Sequence, residues 1–444
     1  MCNVEKEVLE ILQEINENIT DDVQIDLLSN GVIDSFDIVN IVAALEVHFK
    51  IEFEAEDIVP ENFGSVESIV RLVDNYKSIE LYNENKQYIP INKGNYSMDT
   101  KEREKNFQQH RAYGWEEEYR KYRENWEQCG KCKVVLEYPL LVDIELSTIC
   151  NLHCPMCYTI CYTITEDFSK HVYKGFMEFS LFKKIIDEIK GKVPAIRLSL
   201  RGEPTLHPDF IKCIHYAKQA GIKEISTLTN GSKLDIDFFE KMLLAGIDWI
   251  TISVDGLKEE YEQIRKPLKF EDTFNKIIEI KKLKEKYCVN RPVIKIQGVW
   301  PSLKHHVEEF YNAFEPYVDL IAFNPLIDYL DNDEEIVYEE NFSCPQLYQR
   351  IVIGADGKVM PCSNDEMNSV CIGDINKESV YDIWHGTRIN KLRKMHNQCN
   401  GFLNSELCRI CYLPRKTEDN EVANVNGREF IIKNYVGRVQ EVGK

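Results

Sequence analysis

Cys150, Cys154 and Cys157 lie in the segment STICNLHCPMCY with the spacing C-x-x-x-C-x-x-C. Three thiolates can hold three irons of a [4Fe–4S] cluster and leave the fourth iron open to a substrate, which separates this pattern from a four-thiolate electron-transfer site. A zinc knuckle is the competing chemistry. It would need a fourth nearby ligand, for which His153 and Cys161 are available. A second set, Cys344, Cys362, Cys408 and Cys411, offers four thiolates with no open position. That suits one complete auxiliary cluster or a structural zinc ion, with Cys399 as an extra candidate. Cys129 and Cys132 form a third C-x-x-C and read as two loop thiols, while Cys2, Cys213, Cys288 and Cys371 read as structural.

Strand ends must position the first set. From residue 138 onward, apolar runs alternate with amphipathic stretches. The strands are expected at LLVDIELS, AIRLSL, EISTLTN, WITISVD, VIKIQGVW and VDLIAFNP. Six strand–helix units imply a parallel sheet with crossover helices and are too few to close an eight-unit barrel, so an open, partial (β/α)6 barrel is expected. Cys150 directly follows the first strand, at the end of the sheet where such folds bind ligands. Further on, RIVIGADGKVMP reads as a hairpin turning at Asp356-Gly357 and SVYDIWHGTRINKLRKM as helix.

The 444 residues exceed one ordinary domain. The formal charge of −20 is unevenly spread. Residues 1–77 carry 18 Asp/Glu against 4 Lys/Arg, a net −14. That balance excludes nucleic acid as a partner and suits docking onto basic protein patches. The first residues show no basic segment followed by an apolar one, and no run reaches the roughly 20 apolar residues of a membrane span, so a cytoplasmic chain without a membrane partner is expected. Fifteen cysteines in that setting read as ligands before disulfides. The expected organisation is an all-α bundle at 1–77, a linker and lead-in helix at 78–137, the partial barrel at 138–335, a cysteine-bearing domain at 336–420 and a tail at 421–444.

The cysteine motif is similar to that of the radical S-adenosylmethionine (SAM) superfamily, and the resemblance extends to later strand ends. Arg201-Gly202-Glu203-Pro204 resembles the family's Gly-Glu-Pro motif, with Arg201 where Gly is often found. The resemblance implies that Gly202 and Glu203 meet the methionyl amino group of SAM. It places Asn230, Ser253 and Asp255 at the following strand ends, gives Arg265 the SAM carboxylate, and packs adenine against 296–299. It further implies that a reduced cluster passes one electron to the sulfonium, giving methionine and a 5′-deoxyadenosyl radical that takes a hydrogen atom from a substrate. A flavodoxin or ferredoxin would supply the electron. Cys344, Cys362, Cys408 and Cys411, with IGDI and SVYDIWHG between them, resemble a SPASM/twitch extension carrying an auxiliary [4Fe–4S] cluster. Lys295, Asp328 and Tyr329 lie near strand ends without marking a general base.

Asp34-Ser35-Phe36 meets the start of a helix, where either Asp34 or Ser35 could cap free N–H groups. In the context of an acidic helical bundle with a long first loop, residues 1–77 resemble acyl and peptidyl carrier proteins. The resemblance implies 4′-phosphopantetheine on Ser35, a phosphopantetheinyl transferase and an acyl- or aminoacyl-loading enzyme as partners, and a substrate tethered to the chain's own arm. The alternative implied by the SPASM resemblance is a maturase of ribosomal peptides, with the first domain as a docking unit.

Overall fold

The computed structural model describes residues 3–20, 22–84, 86–92, 96–157, 172–325, 336–365 and 367–438. Two compact units form: Met1–Tyr88 with Gly427–Phe430, and Ile89–Asn426 with Ile431–Lys444.

In the first unit, α1 (Asn3–Ile15), α2 (Ser35–Phe49) and α3 (Val66–Glu84) close on their own core, where Val8, Leu12, Ile41, Leu45, Phe63, Ile69 and Val73 are fully buried. Asp34 is the N-cap of α2. Its Oδ1 accepts the N–H groups of Phe36 at 2.8 Å and Asp37 at 3.0 Å, and Asp37 Oδ2 accepts the Asp34 N–H at 3.1 Å. This reciprocal capping box satisfies the first turn without using the Ser35 hydroxyl.

The second unit is built on a nine-stranded sheet. Strands β1 (Leu141–Ile144), β2 (Ala195–Arg197), β3 (Glu224–Thr229), β4 (Trp249–Ser253), β5 (Val293–Val299) and β6 (Leu320–Asn324) are parallel and in sequence order, at all six expected places. Right-handed crossovers in sequential order put every helix on one face of a sheet. The alternation obeys this. Val142, Ile196, Ile225, Ile250, Ile294 and Ile321 are buried on the helix-covered face. By register, Asp143, Arg197, Ser226, Thr251, Lys295 and Gln297 lie on the other, inner face. The barrel does not close. Ser97 bridges Ala322 at the free edge of β6, and β7 (Arg350–Ile353) runs parallel against β1. The expected hairpin forms from β7 and the antiparallel β8 (Lys358–Met360), with Gly357 at φ 86°, and β9 (Gly373–Asp374) adds beyond it.

Three expectations change. Within 78–112, low in core formers and read as linker, α3 runs on to Glu84 and α4 (Lys101–Ala112) packs on the barrel. Buried Phe107 and the Arg111–Glu224 ion pair hold α4 there. Cys129 and Cys132 stand on helix α5 (Glu116–Cys132), not a loop, with Cys129 in an aromatic core. The stretch read as a tail from 421 contains strands Thr417–Val425 and Arg428–Tyr435. Asn426 (φ 49°) and Gly427 (φ 78°) form the turn between them, the Asn-Gly signal of a tight hairpin.

Candidate active site

The cysteine loop leaves β1 and is braced from two sides. Thr148 Oγ1 accepts the Gly175 N–H at 2.8 Å, and the Glu203 N–H donates to the Ile149 carbonyl at 2.9 Å. Gly202 makes this approach possible. A Cβ there would lie 2.5 Å from the Ser147 carbonyl oxygen and 2.7 Å from that of Ile149. Cys150, Cys154 and Cys157 are close enough to affect one another's ionisation. Burial pushes the Cys154 thiol up to about 11; the Arg265 guanidinium pulls it down and Asp255 pushes it further up. Asn230 Nδ2 lies 3.8 Å from Cys150 Sγ and donates to Asn151 Oδ1 at 3.0 Å. His153 is exposed, and Cys161 lies outside the described residues.

Glu203 ties the ends of β2 and β3 together. Its Oε1 accepts from Thr205 N (3.1 Å), Thr205 Oγ1 (2.5 Å) and Thr229 Oγ1 (2.6 Å), while among the described residues Oε2 accepts only the Asn230 N–H at 2.7 Å. A carboxylate offers about four lone-pair sites, so Oε2 retains room for one more donor. Burial raises the Glu203 pKa, against the pull of these donors. Arg265, which the resemblance gives to the SAM carboxylate, is paired within the chain. Its Nε and Nη2 both reach Asp255 Oδ2 at 2.5 Å, because a fully buried carboxylate needs a counter-charge. Asp255 Oδ1 accepts the Val299 N–H at 2.8 Å, which pins β5 beside Ser253 at the end of β4. Arg201 is buried and paired with Glu145, its Nε 2.6 Å from Oε1.

Cys344, Cys362, Cys408 and Cys411 also converge: Cys411 acts on the other three thiols, Cys408 on Cys344, and Cys344 on Cys362. Burial raises all four thiols. Four sulfur donors brought together, enough without a carboxylate or imidazole to complete the set, fit a cluster held by thiolates. Two neighbours went unread in the sequence. The His396 Nδ1 accepts the Cys344 N–H at 3.2 Å and its Nε2 lies 3.3 Å from Cys408 Sγ, while Asn364 Nδ2 lies 3.3 Å from Cys411 Sγ. A lone His at a helix end carries no sequence signal for this. Cys399 instead donates to Asn341 at 3.0 Å, and Cys371 to the Gly373 carbonyl at 3.2 Å. Among the described residues no three His, Cys, Asp or Glu side chains converge on a single metal-ion position.

Residues 144–299 match the radical SAM superfamily and residues 344–412 match SPASM, an iron–sulfur cluster-binding domain. The chain carries a radical SAM domain and a SPASM domain. Superfamily homologues are enzymes, among them a methyltransferase and a cyclase. The 7,8-dihydro-6-hydroxymethylpterin dimethyltransferase of Methanocaldococcus jannaschii is 25% identical over 52% of this chain, which spans only 45% of that enzyme's length. The tungsten-containing aldehyde ferredoxin oxidoreductase cofactor-modifying protein of Pyrococcus furiosus is 23% identical, covering 56% of this chain and 82% of that protein. A solved structure of BtrN in complex with AdoMet and 2-DOIA is 19% identical, covers 61% of this chain and 91% of that one, and superposes with a TM-score of 0.42. The radical SAM domain ends with β5 and the SPASM domain starts before β7, so the strand added beside β1 belongs to SPASM. No helix among the described residues is long and apolar enough to cross a membrane.

Proposed function

We propose that the chain is a radical SAM enzyme acting on an acyl or aminoacyl group tethered through 4′-phosphopantetheine to its own Ser35. When bound, the cluster and SAM supply one-electron cleavage of the sulfonium and, through it, hydrogen-atom abstraction from a substrate C–H. The chain's residues do the holding. Cys150, Cys154 and Cys157 would ligate three irons, and the Asn230 amide stands beside the Cys150 sulfur. Glu203 Oε2 has the acceptor position for the methionyl ammonium. Arg265, whose Nε and Nη2 pair with Asp255, would offer Nη1 to the SAM carboxylate, and the 296–299 segment would back the adenine.

The observation that carries the tether is at Ser35. Its residue is exposed, at the first position of α2, and Asp34 performs the capping that would otherwise occupy it. A flexible arm raises the local concentration of a thioester-bound substrate at the barrel. A phosphopantetheinyl transferase would load Ser35, a further enzyme would acylate the arm, and a flavodoxin or ferredoxin would deliver the electron. Intact-protein mass spectrometry tests this. Coenzyme A and a phosphopantetheinyl transferase should add one arm to the wild type and none to Ser35→Ala. The acylated, reduced protein should then change mass with SAM while forming 5′-deoxyadenosine. No mass gain on the wild type would remove the tether. The SPASM match favours a second reading, a maturase of a ribosomal peptide, under which Ser35 stays unmodified and the first unit docks a partner.

A further inference from the structure

The inner face of the barrel carries charge that nothing above uses. Asp143 on β1 is fully buried between two guanidiniums, 2.9 Å from Arg197 Nε and 3.2 Å from Arg350 Nη1. Arg111 and Glu224 cancel one another through two contacts of 2.9 Å, and Arg111 lies over the Trp249 ring. Lys295 on β5 is different. Its strongest charged neighbours are cations, Arg111 and Arg197, and among the described residues it has no ion-pair partner. Arg197 and Arg350 thus share Asp143, and Lys295 adds a third cation to this face without a carboxylate of its own among the described residues. Lys295 is half-buried and the Arg197 side chain is 32% exposed, so solvent-borne groups reach them. Concentrated like charge on a low-dielectric wall is costly unless a ligand offsets it, and it focuses a field on anions.

We propose that this inner face, at Lys295 and Arg197, binds an anionic group of the substrate, a carboxylate or a phosphate. Held there, below the strand ends that carry Asn230, Ser253 and Val299, the anion would fix how far the substrate enters and which carbon meets the radical chemistry. The inference rests on the barrel being the reaction site, but not on the tether.

Its test uses the full chain carrying Ser35→Ala, so failure of the tether leaves the result untouched. Pyridoxal 5′-phosphate condenses with an accessible neutral amine, and borohydride fixes the adduct for peptide mass spectrometry. Lys295 should be labelled ahead of exposed surface lysines such as Lys377. Glutarate or inorganic phosphate should slow its labelling about tenfold, as expected for a charge-assisted contact, and uncharged glutaramide should not. Which anion protects distinguishes carboxylate from phosphate. Arg197→Gln should lose the protection and Arg197→Lys should keep it. An unlabelled Lys295, no protection by either anion, equal protection by glutaramide, or equal loss in both Arg197 variants would overturn the proposal.

Discussion

Burial and the nearby Arg111 and Arg197 guanidiniums lower the Lys295 ammonium from 10.5 to about 8. Its charged form therefore costs more in the folded chain than in the unfolded one. Between about pH 8 and 10.5 the unfolded chain binds more protons, so stability rises with pH across that window and the penalty is full below it. Lys295→Met should stabilise the chain at pH 7 by on the order of 1–3 kcal/mol, with the gain shrinking toward pH 10. Urea denaturation at the two pH values measures it, and a less stable variant at pH 7 would refute the argument. The sequence showed Lys295 as one of several residues near strand ends. Its isolation from carboxylates depends on which side chains β1, β2 and β5 turn inward together. Asp328 and Tyr329, its companions in that reading, lie outside the described residues.

At the scale of elements, the cysteine loop depends on the ends of β1, β2 and β7 being locked. Glu145, just beyond β1, pairs with Arg201, just beyond β2, and its Oε2 also accepts the Ala355 N–H at 3.3 Å from the hairpin after β7. Both partners are buried, so cutting one leaves a bare charge. Arg201→Gly should cost about 3–5 kcal/mol in the urea midpoint analysis, and adding Glu145→Gln should recover part of it. A neutral Arg201→Gly would show that the ends are held by something else. Arg201 was legible as a departure from the Gly common at that place. Its partner was not, because Glu145 belongs to a different strand. The Asn426-Gly427 hairpin was legible in principle, as a two-residue turn between alternating strands, whereas the helical burial of Cys129 needed the aromatic residues of α5 folded around it.

For the whole molecule, the two thiol sets stand in separate domains and should load separately. After anaerobic reconstitution, the triple variant Cys150→Ala/Cys154→Ala/Cys157→Ala should hold about half the iron of the wild type and release no 5′-deoxyadenosine. Cys344→Ala/Cys411→Ala should lose a similar share of iron yet still cleave SAM when reduced chemically, if the second set serves the substrate or the fold rather than SAM. Iron analysis with product chromatography reads both. Loss of all iron in either variant would contradict separate sites. His396 and Asn364, which touch the second set, lie 12 and 47 residues from their sulfur partners in sequence, so only folding joins them.

The sequence alone determined the six strands of the barrel, the two cysteine sets and the acidic bundle. Each rests on local spacing: thiols a few residues apart, apolar runs of strand length, charge counted over 77 residues. Tertiary structure decided whatever depends on residues far apart in the chain. It gave Arg265 to Asp255, left Glu203 Oε2 with room for a donor, and gave the capping of α2 to Asp34 rather than Ser35. It also put Lys295 on the inner face where Arg197 and Arg350 flank Asp143. Side-chain partners are set by register and burial, and those become fixed only when distant strands pair.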